Sequence, residues 1–138
     1  MNDRKPISVQ DALSYRFFRD RLDDPGLLDR AVITEDGDLA VPVGGKRLGG
    51  YVQADSRAAG RRLVRQLAAR PGEFPDVRLY RGDGWLIEWG PELDWRGNDD
   101  DIPEDYVAAG RLFGFSEAAI AAYGRMRAMR GLDGGELT

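Results

Sequence analysis

Asp36-Gly37 and Arg81-Gly-Asp-Gly84 each separate two short runs rich in β-branched, aliphatic and aromatic residues. Asp-Gly suits the tight turns whose twist matches paired strands, so each site predicts a hairpin. Ala31 to Glu35 and Leu39 to Val43 form the arms of the first. Val77 to Tyr80 and Trp85 to Trp89 form those of the second. Trp85, Ile87 and Trp89 alternate, which puts all three on one sheet face. Pro42 has no N–H to give a ladder, so it makes its strand an edge or ends it at a bulge. Gly44 to Gly50 reads as a flexible turn into a further short strand, Tyr51 to Gln53.

Helical spacing fills the rest. Ser8 and Asp11 form a variant capping box, and Val9, Leu13 and Phe17 recur at i+4, predicting a helix over about 8–22. Tyr15, Phe18 and Leu22 widen its apolar face. Asp23-Asp24-Pro25 stops it, and Pro25 opens a short turn through Leu28. Asp55 or Ser56 caps a second helix running to about Arg70. Ala59, Leu63, Val64, Leu67 and Ala68 are its buried face, and Arg57, Arg61, Arg62 and Arg65 point to solvent. Pro71-Gly72 ends it. Residues 90–102 read as a loop, followed by helices over Pro103 to Phe113 and Ser116 to Arg130 joined at Gly114.

The order α-β-β-β-α-β-β-α-α, with hairpin-linked strands, predicts an α+β fold on an antiparallel sheet. Residues 8–130 form a single domain, with a helical hairpin over 103–130, a flexible start at 1–7 and a loose tail at 131–138. The 138 residues are 42% hydrophobic, enough for one core without covalent staples.

Chemistry is narrowed by what is missing. The chain has no cysteine and no histidine, which removes disulfides, thiolate nucleophiles, His-based triads and Cys/His zinc sites. Ser8, Ser56 and Ser116 sit where helices begin and serve as caps. Ser14 lies within the first expected helix, with no base at a suggestive spacing. The expectation is a protein that is not an enzyme and needs no cofactor and no metal.

Carboxylates remain. Asp83, Glu88, Glu92, Asp94, Asp99, Asp100, Asp101, Glu104 and Asp105 share their window with one basic residue, Arg96, giving a formal charge of −8. Asp101, Glu104 and Asp105 also suit the positive end of a helix. Trp95 stands in this polar stretch as a candidate interface anchor, since binding hot spots are rich in Trp. Trp95, Asp99, Asp100, Asp101, Glu104 and Asp105 are therefore the expected contacts to a protein partner with a basic surface. Such a field steers association and makes it salt-sensitive. Asn98-Asp-Asp-Asp101 lacks the spacing and glycine of a calcium loop.

Two other constellations invite functional readings. Gly44-Gly-Lys-Arg-Leu-Gly-Gly50 resembles a phosphate loop but lacks the Ser or Thr and the helix that must follow the lysine. Lys46 and Arg47 with Arg57 and Arg61 remain a candidate anion-binding set. Gly110, Gly114, Ile120 and Tyr123 fit a helix-turn-helix. The start of its second helix, however, offers Ser116, Glu117, Ala118, Ala121 and Ala122, where base-reading side chains belong. An αα-hairpin is the simpler reading.

The net charge of −4 argues against a general nucleic-acid coat. No apolar run reaches the roughly 20 residues a membrane helix requires. No signal-peptide core follows the polar start, so a cytoplasmic location is expected. The 18 arginines against two lysines reflect base composition.

Asp24-Pro-Gly-Leu-Leu28, Val41-Pro-Val-Gly-Gly45 with Gly49-Gly-Tyr51, Glu88-Trp-Gly90 and Arg111-Leu-Phe-Gly-Phe-Ser-Glu-Ala-Ala-Ile120 resemble a group of small uncharacterised proteins. That group is common in Streptomyces-type actinobacteria and is also carried on phages and mobile elements. The resemblance covers roughly 8–125 and implies a source but no catalytic residue. The functional expectation is a non-enzymatic regulatory or inhibitory protein docking through its acidic segment, in one version as a mimic of nucleic-acid charge. The alternatives are a nucleic-acid-binding regulator using the C-terminal hairpin and Arg57, Arg61 and Arg62, and a metal-dependent carboxylate enzyme.

Overall fold

The computed structural model describes residues 8–82, 84–92 and 106–126. Along the chain these form α1 (Tyr15–Arg21), β1 (Val32–Ile33), β2 (Leu39–Ala40), β3 (Gly50–Ala54), α2 (Arg57–Ala68), β4 (Arg78–Arg81), β5 (Trp85–Trp89), α3 (Tyr106–Leu112) and α4 (117–126). Element for element this is the expected order, and the fold is α+β.

The first helix is shorter than its spacing predicts. Val9–Asp11 is a single 3-10 turn, Ala12 is extended, and α1 begins only at Tyr15. Tertiary partners make the break. Leu13 N–H donates to the Gly37 carbonyl at 3.0 Å instead of to its own helix, and the Ser14 hydroxyl bonds the Asp38 carboxylate. Ser8 does not cap; its hydroxyl donates to Asp11 at 2.9 Å. The expected stop and second turn do form. Pro25–Arg30 is a 3-10 helix whose Asp24 side chain accepts from Gly26 N–H at 3.1 Å, burying Leu27 and Leu28.

The strands make two small antiparallel sheets where one sheet was expected. β1 pairs with β2 in register Val32 to Ala40, and β5 lies between β3 and β4 in the other sheet. Pairing stops after Ala40 because the backbone beyond it is engaged by side chains. The Val41 carbonyl accepts from Arg47 Nε and from Trp89 Nε1, each at 3.2 Å, and Pro42 has no N–H to offer. The turn at Gly44 to Arg47 is tight and not loose, closed by reciprocal backbone bonds of 3.0 and 2.9 Å.

Ser56 caps α2 by accepting from Ala59 N–H at 3.1 Å, and Gly60, Leu63 and Leu67 turn inward. They pack on the three-stranded sheet with Val52, Phe74, Ile87 and Trp89 to form one core. Trp85 packs against the same core, so the alternating Trp85, Ile87 and Trp89 face it together. A second core gathers Leu22, Leu27, Leu28, Leu39 and Val41 beneath α1. Leu48 N–H donates to the Leu112 carbonyl at 2.7 Å, and Ser116 N–H donates to the Arg21 carbonyl at 2.7 Å. These bonds fix the C-terminal hairpin to both halves. Gly110 permits close helix approach, since a Cβ there would lie 2.7 Å from Ile120. None of the described helices is long and apolar enough to cross a membrane.

Candidate functional site

Arg47 is the most unusual charged residue among those described. It is only 3% exposed, and its planar head is held by main-chain oxygens: Nε donates to Val41 at 3.2 Å and Nη1 to Phe113 at 2.8 Å. The Phe18 ring lies 5.5 Å from its guanidinium carbon, within cation–π range. No carboxylate pairs with it among the described residues. Burial without a counter-ion pushes its pKa down to about 9, so it stays charged at neutral pH. Two glycines make room for this side chain. Gly114 has φ +74°, and a Cβ there would sit 2.5 Å from Arg47 Cβ; a Cβ on Gly50 would sit 2.1 Å from Nη2.

Arg47 lines a cleft of about 320 Å3 between α1, the edge strand β3 and the turn before α4. Its apolar walls are Phe17, Phe18, Phe113 and Phe115, with Tyr51 from β3. The rings contact one another: Phe17 and Phe115 meet edge-on at 5.9 Å, and Tyr51 and Phe113 at 5.8 Å. Phe17 remains 44% exposed at the rim. Ser14 and Asp38 supply the polar wall. Asp38 Oδ1 accepts from the Ser14 hydroxyl and from Leu39 N–H at 2.8 Å. Ser14 thus meets a carboxylate 24 residues away, an encounter that sequence spacing does not reveal.

The other expected cations go elsewhere. Lys46, exposed, pairs with Asp23 at 3.6 Å. Arg57 stacks over the Trp85 ring at 5.8 Å, and Arg61 is exposed with no ion pair among the described residues. Neighbouring Arg62 is engaged by Glu35 through two bonds of 2.7 and 2.9 Å. Of the expected partner contacts, Trp95, Asp99, Asp100, Asp101, Glu104 and Asp105 lie outside the described residues. Glu88, counted in the acidic window, is not a surface charge. It is fully buried, and its Oε1 accepts from Arg78 Nη2 at 2.6 Å and Nε at 3.2 Å. Among the described residues, no group of three or more His, Cys, Asp or Glu is placed to hold a metal ion.

Surface ion pairs give the fold a defined acid sensitivity. Hydrogen bonds from Arg62, Arg70 and Arg111 hold Glu35, Glu73 and Glu117 below the usual carboxylate range. Each keeps its proton off to lower pH when folded than when unfolded. Their contribution is therefore complete above the ordinary glutamate pKa of 4.5 and lost as pH falls below it. Asp36 behaves oppositely, because desolvation and the neighbouring Asp55 carboxyl raise it. Urea midpoints at about pH 7 and about pH 3.5 check both signs. Arg62→Met should narrow the gap between the two midpoints, and Asp36→Asn should raise the neutral one slightly.

Residues 6–131 match the model of a family of unknown function (DUF6302), and the chain belongs to that family. No curated protein and no solved structure matches it.

Proposed function

We propose that this member of the family is a non-enzymatic regulatory or inhibitory protein that docks onto a basic macromolecular surface through residues 83–105. Trp95, Asp99, Asp100, Asp101, Glu104 and Asp105 are its contacts. The observation that carries the reading is the segregation of charge along the chain. Outside this window stand 19 basic and 15 acidic residues, a formal +4, so the window alone makes the protein acidic. Burial of Glu88 against Arg78 leaves the other eight carboxylates with Arg96 as the only basic residue in the window. The strand before the segment and the helix after it are both fixed. Trp89 is fully buried, and Leu112 is bonded to Leu48. In the specific form of the reading, the carboxylates stand in for nucleic-acid phosphates. That suits a protein carried on a phage or mobile element and acting in the cytoplasm.

Direct nucleic-acid binding has less support. Arg62 is taken by Glu35, and Arg111 by Glu117 at the start of α4, where a reading helix would need a free cationic or amide side chain. The test is capture of partners from lysate by the wild type and by an Asp99→Lys, Asp100→Lys, Asp101→Lys triple variant. Affinity for the captured partner is then measured at about 50 and about 200 mM salt. Affinity should fall at least about tenfold on charge reversal and should weaken with salt in the wild type. A partner held equally by both proteins overturns the reading.

A further inference from the structure

The residues that line the cleft at Arg47 include none from the 83–105 window, and its chemistry points to a different ligand. A guanidinium has five N–H donors, and Arg47 uses two, one to Val41 and one to Phe113. Its Nη2 makes no hydrogen bond among the described residues and lies against Gly50, which borders the same cleft. A buried charge without a counter-ion is costly, and a bound anion removes that cost. The walls around it are aromatic, and the volume lies at the small end of those that hold organic ligands.

We propose that this cleft binds a small aromatic monocarboxylate, its carboxylate on the Arg47 guanidinium and its ring against Phe113, Phe115 and Tyr51. The planar guanidinium fork matches a carboxylate in shape and charge. Asp38 lines the same cleft and would repel a second negative charge, which selects a monoanion over a phosphate ester. The hydroxyls of Ser14 and Tyr51 and the amide of Gln53 are the other polar side-chain groups bordering the space. Phe17 at the rim provides a partly open entrance.

The experiment titrates the full-length protein with 3-phenylpropionate and separately with 3-phenylpropionamide, following backbone and arginine Nε–H resonances by NMR. The acid should shift Arg47 Nε–H together with residues 50–53 and 113–115, and should bind at least about tenfold more tightly than the neutral amide. Equal affinity for acid and amide overturns the proposal. So does shift confined to other parts of the molecule, or no shift up to about 10 mM, the weak end of fragment binding. Arg47→Met removes the charge but also a structural anchor, so Gln53→Glu is the second variant. Gln53 is exposed, and the added carboxylate should weaken the acid several-fold more than it weakens the amide. Unchanged acid affinity in Gln53→Glu overturns the placement. None of these results depends on residues 93–105, so the acidic-segment reading stands or falls separately.

Discussion

Replacing Glu88 by alanine should destabilise the protein by about 3–5 kcal/mol, because it removes one member of a buried ion pair and leaves Arg78 partly desolvated. Glu88 is fully buried on the central strand and lies directly opposite Arg78 on β4. The same guanidinium also donates to the carbonyls of Asp76, Gly90 and Pro91, so it ties together the segments that enter and leave the hairpin at its open end. Loss of the carboxylate frees a side chain that several loops depend on. A thermal midpoint lower by roughly 10–15 °C is the expected result for a chain of this length. The double variant Arg78→Met, Glu88→Leu should recover only part of the loss: no charge is left stranded, but the carbonyls of Asp76, Gly90 and Pro91 lose their donor. A single variant as stable as the wild type would show that the pair contributes nothing.

Gly114→Val carries the second large effect, expected at about 2–5 kcal/mol. Two costs combine. The residue has φ +74°, a region closed to β-branched side chains, and the new Cβ would meet Arg47 Cβ at 2.5 Å and Cα at 2.7 Å. Neither contact is with the tip of a flexible chain, so the backbone itself must give way. The movement would also draw the Phe113 carbonyl from Nη1 of Arg47. Urea unfolding should therefore show a lower midpoint with a similar slope, whereas a surface alanine such as Ala121→Ser should leave the midpoint unchanged.

What was legible in the sequence was local. Asp36-Gly37 forms its hairpin, with Gly37 at φ +83°, because the requirement for that turn is contained within a few residues. Ser56 caps α2, and Gly110 meets Ile120, for the same reason. Apart from Ser8, which bonds Asp11 instead of capping, the failures were long-range. The spacing from Val9 to Phe17 is helical, but nothing in it announces that the Gly37 carbonyl will capture Leu13 N–H. Within Gly-Gly-Lys-Arg, nothing separates Lys46, which goes to solvent, from Arg47, which goes inside. The difference lies in carbonyls at positions 41 and 113. Glu88 left a clearer signal. It is a lone carboxylate inside the apolar run Trp85 to Trp89, and the hairpin register places Arg78 opposite it. Its burial follows from the central place of β5, which a count of alternating residues does not reveal.

Arg47 hydrogen-bonds to residues that the ribosome delivers more than 60 positions apart. While the chain is being made, the first three strands and α2 emerge well before the Phe113 carbonyl exists to receive the guanidinium. The nascent N-terminal portion therefore carries a solvated arginine where the finished molecule has one buried at the wall of the cleft, and the aromatic walls around it stay incomplete. Completion waits for the last helices, which couples the maturity of the cleft to the integrity of the chain's far end.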